Sequence, residues 1–241
     1  MSNEGLDLGG QQGAAKSGSQ PGGDVIVLDL LTAIGRDERV TQRALSKELG
    51  IALGLANAYL KRCIRKGLVK VSEAPLRRYA YYLTPQGFAE KSRLTVEYLT
   101  SSFDFFRRAR AQCGEIFAAC ARRGARRLVL VGTGELAEAA ILSAAEAEVR
   151  ILAIVDSETT LKRCAGVPVV ASLADAMGLI PGEAIDVLVI TDLRAPQATF
   201  DRIMWRAGEM GIGPGQVYWP PLLNISRQPP ALRAGDGEGG P

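Results

Sequence analysis

The chain contains no histidine. That absence excludes histidine-ligated metal centres and histidine-based triads, and it removes the commonest general base of enzyme active sites. Cysteine is scarce as well. Cys63, Cys113, Cys120 and Cys164 form no CxxC pair, so no metal site is expected and a reduced, cytoplasmic setting is. No apolar run reaches the ~18 residues that a membrane-spanning helix needs, so no membrane partner is expected. The first 23 residues have neither the basic start nor the apolar centre of a signal peptide, and they read as a flexible tail. Residues 222–241, rich in Gly and Pro, read as a second tail.

What is present falls into two halves. The 241 residues suffice for two ordinary domains, and 47% of them are apolar. The net charge of +3 conceals an asymmetry. Residues 24–95 carry 13 Lys/Arg against 7 Asp/Glu, a net of +6, whereas residues 126–220 carry 8 against 12, a net of −4. The basic half suits a polyanion such as double-stranded DNA, and the acidic half would repel one.

In residues 24–84, apolar positions Val27, Leu28, Leu31 and Ile34 have helical spacing. Thr41 is placed to cap a short helix that Gly50 ends, and a third helix runs on to Gly67. LVKVSE and RRYAYYLT follow as two short strands around a tip with Pro75, Arg77 and Arg78. Three helices and a hairpin in this order predict a winged helix-turn-helix. The third helix would enter a major groove with Leu53, Gly54, Asn57, Ala58 and Lys61 facing outward. Asn57 is then the base-reading amide, while Arg43, Lys47, Lys61, Arg62, Arg65, Arg77 and Arg78 are positioning contacts to the backbone. Docking onto another protein is the alternative use of the same fold.

Residues 41–99, above all TQRALSKELGIALGLANAYLKRCIRKGLVKV and YAYYLTPQGFAEKSRLTVEYL, resemble MarR-type regulators associated with exopolysaccharide synthesis. The resemblance implies a DNA-binding, dimeric transcriptional regulator. Members of that family are short, so it leaves the second half unexplained.

Residues 85–123 read as one long linking helix that starts near Pro85. Leu99, Phe103, Phe106, Cys113, Phe117 and Cys120 are spaced 4, 3, 7, 4 and 3 apart, a heptad-like seam interrupted at Arg110. Such a seam suits a homodimer, and packing within the chain is the other possibility.

From residue 124 to 221, near-continuous apolar strands alternate with helices, the pattern of a parallel sheet covered on both faces. The expected fold is therefore an α+β winged helix-turn-helix domain joined by a long helix to an α/β Rossmann-like domain with a parallel sheet. RLVLVG leads into Gly132-Thr133-Gly134-Glu135, a turn that could admit a phosphate at a helix N-terminus. Asp156, 24 residues after Gly132, could grip ribose hydroxyls, and Thr191-Asp192 ends a later strand at the same edge. The opposing signs are that a Gly-x-Gly turn can be purely structural and that Glu135 sets a negative charge beside any phosphate. This half resembles Rossmann-like modules of polysaccharide-biosynthesis proteins, and the plan of the whole is similar to that of the redox-sensing repressor Rex. The turn, Asp156 and Thr191-Asp192 together point to a nucleotide or nucleotide-sugar, with NAD(H) the leading ligand, and the likenesses suggest the same class without fixing the ligand. With no histidine, no Tyr-x-x-x-Lys and no substrate domain, catalysis is not expected. The expected function is a transcriptional regulator whose second domain senses a nucleotide-like metabolite. A structural docking protein, or a sugar-nucleotide enzyme with an appended DNA-binding module, is the alternative.

Overall fold

The computed structural model describes residues 21–74, 78–179 and 184–227. The chain divides into two compact units, Met1–Thr100 and Ser101–Pro241.

The first unit contains α1 (Pro21–Arg36), α2 (Gln42–Glu48), α3 (Leu53–Arg65), β1 (Val69–Ala74) and β2 (Arg78–Leu83), followed by the first part of α4 (Pro85–Arg122). α1 opens at Pro21, a residue whose fixed φ suits a first helical turn, so the helix starts ahead of the expected residue 24. Its apolar stripe of Val27, Leu30, Leu31 and Ile34 packs with Leu45 of α2, Leu60 and Cys63 of α3, and Leu94 of α4. The Thr41 hydroxyl accepts the Ala44 N–H at 3.1 Å, which supplies the expected cap on α2. β1 and β2 pair antiparallel from Val69 opposite Leu83. Thr84 joins this hairpin to α4: its hydroxyl donates to the Gly67 carbonyl at 2.6 Å and accepts the Gly87 N–H at 3.0 Å. Gly87 must lack a side chain, because a Cβ there would lie 2.0 Å from the Leu68 carbonyl oxygen.

The second unit begins with the remainder of α4 and continues through β3 (Arg127–Val131), α5 (Glu135–Ala144), β4 (Arg150–Val155), β5 (Arg163–Cys164), β6 (Val167–Val170), α6 (Leu173–Gly178), β7 (Val187–Ile190), α7 (Pro196–Glu209) and β8 (Val217–Tyr218). The sheet order is β5-β6-β4-β3-β7-β8. Every pairing is parallel except β5 with β6. β3 lies at the centre, and the chain builds outward first through β4 and β6, then on the other side through β7 and β8. Right-handed crossovers then put α5 and α7 on opposite faces. Asp186 ties the start of β7 to β3: its Oδ2 accepts the Arg126 and Arg127 N–H groups, each at 2.9 Å. The short antiparallel β5 has no counterpart in the sequence reading, because two residues show no periodicity.

Two expectations change here. Cys113, Phe117 and Cys120 are fully buried in the core formed by the sheet and α5, so they pack within the chain and cannot serve as an interchain seam. Residues 222–227 are not part of a tail. Leu223 and Ile225 join the core, Ser226 donates through N and Oγ to Gln197 at 2.9 Å, and the Arg227 guanidinium lies over the Phe200 ring. Residues 228–241 lie outside the described residues. No described helix is long and apolar enough to cross a membrane.

Candidate functional site

Two surfaces carry the candidate residues. On the first unit, Arg43 and Lys47 of α2 and Lys61 and Arg65 of α3 are exposed, and Arg62 is half-buried. Arg78 opens β2, whereas Arg77 and Pro75 lie outside the described residues. Asn57 departs from its expected role. It is half-buried beside Ala56 and Leu60, and its side-chain carbonyl oxygen is buried with no hydrogen-bond partner. Reading adenine takes the amide oxygen and nitrogen together at the base edge. With one of them turned inward, Asn57 does not present that fork. The rest of the outward side of α3 is apolar or small, with Leu53, Gly54, Leu55 and Ala58 all exposed.

The second surface is the carboxyl edge of the sheet, where β3 and β7 lie side by side. Open α/β sheets hold ligands in the crevice at such a reversal of strand order. Here that crevice is closed by close contacts. Gly132 has φ +102°, and a Cβ on it would lie 2.5 Å from Asp192 Cα. The buried Thr191 hydroxyl donates to the Gly132 carbonyl at 2.6 Å. Gly134 has φ +118°, but a Cβ on it would meet nothing within 4 Å. The first glycine is thus required by packing and the second by backbone conformation alone.

The first two N–H groups of the turn are committed within the protein. Gly132 N–H donates to the Val155 carbonyl at 2.9 Å, and Thr133 N–H donates to Asp156 Oδ2 at 3.0 Å. Glu135 is exposed in the first turn of α5 and shares that turn with Glu138. Two carboxylates therefore already compensate the positive end of the helix dipole. A pyrophosphate would find the Gly132 and Thr133 N–H groups already taken and would meet two like charges.

Around the turn runs a charged network centred on a residue that the sequence reading did not single out. Arg194 donates from Nη2 to Asp156 Oδ2 at 2.8 Å and from Nε to Asp192 Oδ1 at 3.1 Å, and Nη1 lies 3.5 Å from Glu158. Asp156 Oδ2 also accepts the Thr133 hydroxyl at 2.6 Å, while Oδ1 accepts the Glu158 N–H at 3.0 Å. Asp192 Oδ2 accepts the Thr199 hydroxyl at 2.7 Å, and Arg202 donates to that hydroxyl at 3.1 Å. Burial alone would raise the pKa of Asp156, but the hydrogen bonds from Thr133, Glu158 and Arg194 outweigh it and hold the carboxyl well below the usual range. Asp192 is likewise lowered, burial being overcome by Thr199 and Arg194. Arg194 is held charged by its bonds to Asp156 and Asp192. The Asp156 side chain is 2% exposed and that of Arg194 45%, so the arginine forms the solvent side of the pair. The signal in the sequence was slight: an arginine two residues beyond a strand-ending aspartate.

The structure thus brings Gly132, Thr133, Asp156, Thr191 and Asp192 together, with Gly134 and Glu135 at the rim. The dimerisation candidates are split. Leu99, Phe103 and Phe106 are exposed on α4, as is Val96, whereas Cys113, Phe117 and Cys120 are not. Burial pushes the thiols of Cys63 and Cys120 up to about 11 and that of Cys113 to about 12, so none is a nucleophile at neutral pH. Among the described residues, no group of three or more Cys, Asp or Glu is arranged to hold a metal ion.

Comparison with known proteins bears on both units. Residues 24–70 match the family described as winged helix-turn-helix DNA-binding. The match runs from α1 to the start of β1 and stops short of the LTPQGFAEKSRLT segment on which the narrower MarR-type likeness rests. No curated protein matches the chain. Two solved structures of the O-methyltransferase NcsB1 from neocarzinostatin biosynthesis match over 86% of this chain and 67% of theirs. One is in complex with S-adenosyl-L-homocysteine and 1,4-dihydroxy-2-naphthoic acid, at 16% identity and a TM-score of 0.24. The other holds S-adenosylmethionine and 2-hydroxy-5-methyl naphthoic acid, at 14% identity and a TM-score of 0.24.

The expectation of a chain without catalytic function is corrected by these matches, which are to an enzyme; at this TM-score they carry no activity over to this chain. NAD(H) and a nucleotide-sugar are corrected too. The matched structures hold S-adenosyl ligands, and both expected ligands carry a pyrophosphate, which would meet the committed Gly132 and Thr133 N–H groups and the carboxylates of Glu135 and Glu138.

Proposed function

We propose that the chain is a DNA-binding regulator that grips duplex DNA through its winged helix-turn-helix unit and senses a nucleoside-bearing metabolite at the carboxyl edge of its Rossmann-like unit. The match of residues 24–70 to a DNA-binding family carries the first part, supported by the exposed cations of α2 and α3. The committed Gly132 and Thr133 N–H groups and the two carboxylates at the start of α5 disfavour a phosphate. A nucleoside without phosphate, such as S-adenosylmethionine or S-adenosylhomocysteine, asks for a diol acceptor and tolerates acidic surroundings. Asp156 supplies the acceptor. Its ribose contact would replace the Arg194 guanidinium, so binding is coupled to movement of residues 192–195 at the head of α7. The exposed stripe of Val96, Leu99, Phe103 and Phe106 on α4 is the proposed homodimer seam, spaced 3, 4 and 3. α4 is continuous from one unit into the other, and a ligand that alters its pairing alters DNA affinity.

The test is a thermal-unfolding and DNA-binding series with the full chain against adenosine, S-adenosylmethionine, S-adenosylhomocysteine and ATP. The proposal expects stabilisation by one or more of the phosphate-free nucleosides and none by ATP, with tighter binding to Arg194→Ala, in which the competing guanidinium is gone. Absence of any shift with either protein removes the sensor and leaves the Asp156–Arg194–Asp192 network a structural clasp.

A second reading keeps the DNA module and makes the second unit catalytic. It is supported by the same network, since charged groups with displaced pKa values gathered at a sheet's carboxyl edge mark reactive sites as well as binding sites. Release of S-adenosylhomocysteine from S-adenosylmethionine in the presence of DNA or a phenolic acceptor distinguishes it from a sensor.

A further inference from the structure

The outward side of α3 is unusual for a helix in a DNA-binding unit. Two leucines are exposed in its first turn, Leu53 at 42% and Leu55 at 44%. Gly54 and Ala58 are also exposed, and Asn57 keeps its carbonyl oxygen inside. Exposed cations lie on the same two helices: Arg43 and Lys47 on α2, and Lys61 and Arg65 further along α3. Such cations suit phosphates on either side of a groove. On the outward side before Lys61, hydrogen bonding is limited to what the Asn57 amide nitrogen can offer.

The major groove offers one apolar recognition element, the C5 methyl group of thymine. We propose that α3 reads thymine methyl groups, with Leu55 and Ala58, neighbours at i and i+3 on the helix, as the reading side chains. The inference rests on the DNA-binding reading above and adds its specificity: the unit selects thymine positions by shape and burial of methyl groups, with no bidentate base pairing from Asn57. Gly54 and Ala58, lacking bulk, let the helix approach the groove floor closely enough for a methyl group to be buried.

The test uses the full-length protein and a duplex selected from random-sequence DNA. Each thymine of the selected site is replaced in turn by deoxyuridine, which lacks only the C5 methyl group and keeps every hydrogen-bonding group. Affinity is expected to fall about fourfold at each of one to three thymines per half-site, the worth of one buried methyl group. Leu55→Ala should bind the thymine duplex and its deoxyuridine counterpart with nearly equal affinity at the position Leu55 reads. Because that side chain is exposed, the variant is expected to fold, and the wild-type comparison needs no variant. Equal affinity of the wild-type protein for thymine and deoxyuridine duplexes at every position overturns methyl reading while DNA binding stands. Binding without any enriched sequence overturns it likewise. No binding to any duplex at low salt overturns both this inference and the DNA-binding reading beneath it.

Discussion

Replacing Gly132 with alanine tests whether the Gly-x-Gly turn is built for packing or for a ligand. At φ +102° a side chain is strained whatever space surrounds it, at a cost of about 1–2 kcal/mol. The added Cβ would also sit 2.5 Å from Asp192 Cα and 2.6 Å from Asp192 N, backbone atoms that cannot step aside without pulling β7 off β3. Overpacking of this kind costs a further ~1–3 kcal/mol, for a total of about 2–5 kcal/mol. Gly134→Ala shares the strain, with φ +118° and ψ −168°, but meets nothing within 4 Å, so its cost stays near ~1–2 kcal/mol. Trp219 is buried against Phe200, with ring centroids 4.8 Å apart, and reports on this unit, provided that the exposed Trp205 is first changed to phenylalanine. In urea, where small proteins have slopes of about 1–3 kcal/mol/M, the Gly132→Ala midpoint should fall by roughly 2 M and that of Gly134→Ala by less. A Gly132→Ala protein within about 0.5 kcal/mol of its parent, or one more stable than Gly134→Ala, would refute the packing argument.

Three further outcomes are expected. Phe103→Glu places a charge on the exposed stripe of α4, where Phe103 is 59% exposed, and should turn a dimer into a monomer by light scattering without lowering the melting temperature; an unchanged mass would place the interface elsewhere. Asp156, Asp186 and Asp192 all have pKa values lowered in the folded state, so their stabilisation is complete above the unfolded carboxylate value near ~4 and is lost as pH falls through the lower folded values. Urea midpoints should therefore be flat above about pH 5 and drop below about pH 4, and Asp156→Asn should flatten that drop. The four buried thiols should not react with Ellman's reagent at pH 8 until urea unfolds the protein; a fast native equivalent would contradict their burial.

Local chemistry made much of the fold legible. Thr41, Gly50 and Gly67 mark helix ends by capping and by backbone freedom, and the change from alternating to helical spacing separates strands from helices. Period alone could not say what covers a face. Leu99 through Cys120 form one apolar seam along α4, yet its later half is covered by the chain's own sheet and its earlier half is exposed. The position of the glycine turn was also legible, but the fate of its first two N–H groups was not, because their partners Val155 and Asp156 come from the end of another strand. Arg194 was missed for the same reason: its weight comes from Asp156, 38 residues away. Asn57 sits at the border between the buried and exposed sides of α3, where helical spacing does not decide which way an amide turns.

The central claim is that the first unit holds DNA, and the most direct measurement is the affinity of the full chain for a duplex as salt is raised. If Arg43, Lys47, Lys61, Arg62 and Arg65 each neutralise a phosphate, log K against log salt should fall with a slope of roughly −4 to −5 per protomer, about twice that for a dimer. Replacing Arg43 and Lys47 together with alanine should reduce the slope by about 2 per protomer. A duplex that does not bind at low salt, or an affinity indifferent to salt, would contradict the account.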